Sequence, residues 1–175
     1  RDIMWLVCRI VSSFHSTKEN VGLPLGNLTS QLFVNIYMNE FDQFMKHKLK
    51  AKWYIRYSDD FVILDQDKKW LELILVNIQI FLKEKLHLTL HPDKISIKTF
   101  ATGVDFLGWT HFPDHRVLRT TTKKRMLRNL EYKKKNIELE RIVATVRSYL
   151  GMLSHGNAHK LSSLVKMRYA APIGN

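Results

Sequence analysis

Trp53-Tyr54-Ile55-Arg56-Tyr57-Ser58-Asp59-Asp60-Phe61-Val62-Ile63-Leu64 is the stretch that decides how this chain is read. Its first half alternates in character, its last four residues are a short apolar run, and two acids stand between them. That pattern predicts a strand, a tight turn and a second strand. Neighbouring carboxylates about 4 Å apart repel by ~1 to 4 kcal/mol, depending on the local dielectric. A divalent cation turns that repulsion into affinity, because Mg²⁺ takes hard oxygen ligands and binds through one or two carboxylates plus substrate phosphates. A hairpin fixes such oxygens more sharply than a loop does. The plainer alternative is a solvated Asp-Asp turn, since Asp is a favoured turn residue.

Toward the N-terminus, Leu28, Leu32, Ile36, Phe41, Phe44 and Met45 recur every three to five positions and predict one helix from Asn27 to about Lys48. Gly22, Pro24 and Gly26 close a loop before it, and residues 1 to 14 read as an earlier helix. Beyond the acidic hairpin, Asp67 can cap a helix whose apolar face is Leu71, Ile74, Ile78, Phe81 and Leu82. Leu86, Leu88 and Leu90 alternate as a strand, and Ile95 and Ile97 do the same. Val104 to Phe112 and Val117 to Arg119 predict a hairpin across Pro113-Asp114-His115. From Thr120 everything reads helical: a basic helix to about Asn136, a second to Leu150 closed by Gly151, and a last from Ala158 to Tyr169. The expected class is α+β: residues 1 to 119 with helices on one face of an antiparallel sheet, then a basic helical bundle over residues 120 to 175.

The 175 residues carry a net charge of +12, are 45% hydrophobic, and include a single cysteine, Cys8. The composition is globular, and the lone cysteine excludes an internal disulfide framework and any CxxC zinc site. No apolar run is long enough to span a bilayer and no signal-peptide order is visible, so a soluble, cytoplasmic protein with no membrane partner is expected. From Thr120 onward twelve Lys or Arg face three Glu, so +9 of the charge lies in the C-terminal third. A polyanion held there would release condensed counterions. A solvated basic surface or an acidic protein partner is the alternative.

The residues around the acid pair carry a specific resemblance. An aromatic, a small residue and two Asp between apolar strands has the shape of the polymerase motif of reverse transcriptases. Gly22-Leu23-Pro24-Leu25-Gly26-Asn27-Leu28-Thr29-Ser30-Gln31-Leu32-Phe33 resembles that family's loop-and-helix motif, commonly Pro-Gln-Gly, three variable residues and Ser-Pro, about 30 residues before the Asp pair. His91-Pro92-Asp93-Lys94 resembles the next motif, Phe106-Leu107-Gly108-Trp109 the hairpin that grips the primer, and the basic helices with Ser148-Tyr149-Leu150-Gly151 the thumb. The order is the family's.

The resemblance implies a polymerase palm followed by a small all-α thumb, and two-metal nucleotidyl transfer that extends a DNA or RNA primer on an RNA template with dNTPs. It makes Asp59 and Asp60 the catalytic metal ligands for two Mg²⁺ ions, with Mn²⁺ as a substitute. Leu25, Gly26, Ser30, Gln31, Tyr57 and Lys94 fall at nucleotide- or template-binding positions, and Phe106, Leu107 and Gly108 at the primer grip. Lys123, Lys124, Arg125, Arg128, Lys133, Lys134 and Lys135 would follow the nucleic-acid backbone. Each has a plainer alternative: Tyr57 as a core aromatic, Gly26 as a helix-entry turn, Ser30 and Gln31 as capping residues, Lys94 as a surface turn lysine, Phe106 and Leu107 as core, the basic helix as a solvated face. Leu25 and Gln31 depart from the common motif. The resulting Leu-Gly-x-x-x-Ser-Gln is similar to reverse transcriptases of diversity-generating retroelements, for which an accessory retroelement protein is a further partner. A group II intron or retron type enzyme, and a non-catalytic RNA-binding module with a polymerase fold, remain open. The family's other shared Asp has no candidate besides Asp2, which lacks a preceding strand. It is therefore expected upstream of Arg1 with the fingers, and these residues alone are expected not to polymerise.

Overall fold

The computed structural model describes residues 2–13, 28–136 and 139–170. Helices with small antiparallel sheets make up both compact units of the chain, Arg1–Ile97 and Lys98–Asn175, so the class is α+β. The division falls before the sheet of residues 104–118, where the sequence pattern suggested a boundary after residue 119.

In the first unit, α1 (Asp2–Ser12) is followed by α2 (Leu28–Gln43), which runs on through a π-helical turn, Phe44–Lys48. Then come β1 (Trp53–Tyr57), β2 (Asp60–Leu64) and α3 (Lys68–Leu86). Met38, Phe41 and Met45 are buried against Ile74, Ile78, Leu82 and Leu86, whose spacing of four keeps them on one face of α3. The face expected for α2 is corrected in part. Leu28, Leu32 and Ile36 are exposed, because at 3.6 residues per turn they lie round the helix from the buried row at 38, 41 and 45. Asp67 caps α3 as expected, accepting from the backbone N–H of Lys69 and Trp70.

The strand expected at Leu86, Leu88 and Leu90 is absent, as is the one at Ile95 and Ile97. Leu86 instead completes the buried row of α3, and His87 ends that helix in the left-handed region, φ +51°, with its N–H on the Leu82 carbonyl. Alternation over three leucines loses to the four-residue repeat that precedes it.

The second unit holds β3 (Val104–Phe106), β4 (Trp109–His111) and β5 (Arg116–Leu118) in one antiparallel meander. The single strand expected from Val104 to Phe112 is broken at Leu107-Gly108, both at positive φ (+51° and +83°), the backbone that matches a two-residue turn to strand twist. The second connection, across Pro113-Asp114-His115, joins β4 to β5 as predicted. Three helices follow: α4 (Thr120–Asn136), α5 (Leu139–Leu153) and α6 (His159–Val165), the last extended by a π-helical turn to Ala170. They enclose Met126, Leu130, Ile142, Val146, Leu153, Val165 and Tyr169. Gly151 does not close α5. The helix continues to Leu153, which is buried and adds to that core. No described helix is long and apolar enough to cross a membrane.

Candidate active site

The acidic hairpin forms with the register Trp53↔Leu64, Tyr54↔Ile63, Ile55↔Val62, Arg56↔Phe61 and Tyr57↔Asp60, leaving Ser58 and Asp59 as its two-residue tip. Cross-strand pairs share a face, so Tyr54, Arg56, Phe61 and Ile63 look one way and Trp53, Ile55, Tyr57, Asp60 and Val62 the other. The first face is the inner one: Phe41 sits edge-on to Tyr54 at 6.0 Å and tilted over Phe61 at 5.0 Å. Trp53, Ile55 and Tyr57 are exposed on the outer face, so Tyr57 is not a core aromatic.

Asp59 and Asp60 are both exposed, and neither carboxylate makes a hydrogen bond or ion pair with another described residue. Four hard oxygens with unused acceptor capacity, on adjacent residues of a hairpin, are donors of the kind Mg²⁺ prefers. The pair fits that ion as part of a ligand set. Among the described residues no third acid, His or Cys joins them.

Beneath the tip lies a network that the sequence pattern does not announce. Arg56 grips Asp42 of α2 with two bonds, Nε to Oδ1 at 2.8 Å and Nη2 to Oδ2 at 2.6 Å. Its remaining nitrogen, Nη1, donates to the Asn35 side-chain oxygen at 3.2 Å and to the Ser58 carbonyl at 2.7 Å. The Tyr54 hydroxyl donates to the same Asp42 Oδ1 at 2.7 Å. The Arg56 and Asp42 side chains keep only 8% and 23% of their exposure. The Arg56 hydrogen bond holds the Asp42 carboxyl below its ordinary range, and Asp42 in turn raises Arg56. Burial, then the bond to Asp42, pushes the Tyr54 phenol well up. Two signals for the network were present: strand alternation puts Tyr54 and Arg56 on one face, and Asp42 is an acid one residue from the buried Phe41.

The remaining candidates are distributed. Leu25 and Gly26 lie outside the described residues. Ser30 and Gln31 occupy the first turn of α2, Ser30 half-buried and Gln31 exposed. Lys94 ends a short 3₁₀ turn, Pro92–Lys94, and is exposed. In the second unit, Leu107 is half exposed at the tip of the β3–β4 turn, while Phe106 is partly buried. Along α4, Met126 and Leu130 face the core, and Lys123, Lys124, Arg125, Arg128 and Lys135 are exposed without a side-chain hydrogen bond or ion pair to a described residue. Lys133 donates to Thr145 and Lys134 to the Arg168 carbonyl, so these two also serve the bundle.

A family model described as reverse transcriptase (RNA-dependent DNA polymerase) matches residues 3–111, which take in the acidic hairpin, the Pro92–Lys94 turn and the β3–β4 turn. The chain belongs to the reverse transcriptase family. It is also similar to Protein YkfC of Escherichia coli (strain K12), with 28% identity over an alignment that covers 65% of this chain and 36% of that protein. The chain thus spans little more than a third of that relative's length.

Proposed function

We propose that this chain carries the catalytic hairpin of an RNA-directed DNA polymerase, with residues 1–119 as part of the palm and the basic helices from residue 120 as the thumb. One observation carries the reading: Asp59 and Asp60 sit exposed and unpaired among the described residues, at the apex of a hairpin whose two-residue turn is tied through Arg56 to Asp42 of α2. The chemistry that a bound pair of Mg²⁺ ions supplies is neutralisation of the triphosphate and activation of the primer hydroxyl. Asp59 and Asp60 hold those ions, and Tyr57 and Ser58 form the floor under the primer end. Lys94 steadies charge on the leaving pyrophosphate. Leu25, Gly26, Ser30 and Gln31 line the nucleotide and template, and Phe106, Leu107 and Gly108 grip the primer. The exposed cations of α4 follow the duplex backbone of template RNA and primer.

Within the family, the Leu25-Gly26 and Ser30-Gln31 pattern supports the diversity-generating retroelement type. An apolar Leu25 would leave the nucleotide without an amide contact and weaken discrimination among bases. Unchanged fidelity in Leu25→Gln would remove it as a cause.

The test of the main reading is primer extension on an RNA template by the open reading frame that contains this chain. Asp59→Asn abolishes extension and leaves RNA binding nearly unchanged. Extension that survives Asp59→Asn removes the hairpin from the chemistry, and loss of RNA binding together with extension would mean that the substitution acts on the fold.

A further inference from the structure

The acid-bearing tip is not held by its own two strands alone. Ser58 occupies the left-handed region, φ +55°, where a residue with a Cβ is strained. Its carbonyl is the acceptor for Arg56 Nη1, and the other nitrogens of that same guanidinium are locked onto Asp42 of α2. We infer that Arg56 is a positioning residue for the metal-binding carboxylates: its planar fork couples the Ser58 backbone, just before Asp59, to Asp42 of α2 and so fixes where the two acids stand. The inference rests on the polymerase reading of Asp59 and Asp60 given above.

The geometry suits an arginine. A guanidinium offers five donors in one rigid plane, so it grips a carboxylate with one edge and a carbonyl with what remains, whereas a lysine ammonium carries the same charge without the fork. Asp42 orients Arg56, Tyr54 shares Asp42 and restricts it further, and Asn35 takes the remaining reach of Nη1. Arg56 lies on the inner face of the hairpin and Asp60 on the outer, so the guanidinium acts on the acids through the backbone of Ser58 and not by touching them. Residues that orient ligands in this way change metal affinity by about 10- to 100-fold when removed.

The experiment is a titration of the protein whose sequence contains these 175 residues with Mn²⁺ alone, followed by paramagnetic broadening of the backbone amides of residues 57 to 61, with thermal unfolding recorded on the same samples. Wild type shows saturable broadening at these amides, and Asp59→Asn loses it. Arg56→Lys, which keeps the charge and spares the fold, shifts the Mn²⁺ midpoint upward by about tenfold and raises the fast motion of the Ser58 and Asp59 amides at temperatures well below unfolding. Arg56→Gln shows the same shift or a larger one. If both Arg56 variants bind Mn²⁺ as wild type does while Asp59→Asn does not, the positioning role is wrong and the polymerase reading stands. If wild type shows no broadening near the hairpin, the reading of the acid pair fails and takes this inference with it.

Discussion

Asp42 gathers three hydrogen bonds on one carboxylate, two from Arg56 and one from Tyr54, and a neutral amide in its place would leave a mostly covered guanidinium without a counter-charge. Removing one member of a covered ion pair destabilises a fold more than the pair stabilised it, because the other charge stays desolvated. Asp42→Asn is expected to lower stability at neutral pH by about 2 kcal/mol, less than for a fully buried pair because Asp42 keeps some solvent. The pH dependence follows from the direction of the shift. The folded carboxyl titrates below its ordinary value of 3.8, so its contribution is complete above that pH and fades as pH falls through the lower folded value. Denaturant titrations of both proteins from pH 7 down to pH 2 check this, with the difference between them narrowing below about pH 4. A constant difference across that range would assign the effect to packing instead of charge.

Among the elements, the acidic hairpin was the most legible, since alternation, turn chemistry and a clean apolar exit all agreed over twelve residues. The cap at Asp67 and the buried row of α3 were legible for the same reason. What misled was local patterning overridden by burial: Leu86 belonged to a helix, α5 kept its last turn through Gly151 to bury Leu153, and the row at Leu28, Leu32 and Ile36 proved solvent-facing. The Leu107-Gly108 turn stayed hidden because leucine seldom takes positive φ. Asp42 and Arg56 are hard to read as a pair because fourteen residues and a change of element separate them. The packing of β4 on the helical connection gives an element-scale test. A Cβ at Gly156 would come within 2.2 Å of the Trp109 ring, and that indole is itself buried and lies under Arg116. Gly156→Ala is therefore expected to cost about 1 to 3 kcal/mol in the second unit, measured as a lower unfolding midpoint, and an unchanged midpoint would mean that the Trp109 ring moves aside freely.

At the scale of the whole molecule, charge asymmetry is the feature that composition alone revealed, and the helix that carries much of it keeps its cations outward. Burial and the Glu131 bond push the Tyr169 hydroxyl up to about 12, and Arg168 pairs with the same Glu131, so the far end of the bundle is tied to α4 by its own charges. Lys123, Lys124, Arg125, Arg128 and Lys135 are left exposed without a described partner. Binding to a primer–template duplex should then weaken log-linearly with salt, and the double substitution Arg125→Gln with Arg128→Gln should reduce the slope by about two, one for each phosphate no longer neutralised. A slope that does not change would direct the duplex to another surface. Whether Asp59 and Asp60 hold a divalent ion decides the polymerase reading, and iron-directed cleavage reports it without needing turnover. Fe²⁺ substituted for Mg²⁺ in the presence of a dNTP, with peroxide and ascorbate, cuts a backbone beside the bound ion. Cuts are expected between Tyr57 and Phe61, suppressed by Mg²⁺ and eliminated by Asp59→Asn. Cuts confined to other parts of the chain, or cuts at the hairpin that persist in Asp59→Asn, would contradict metal binding by this acid pair.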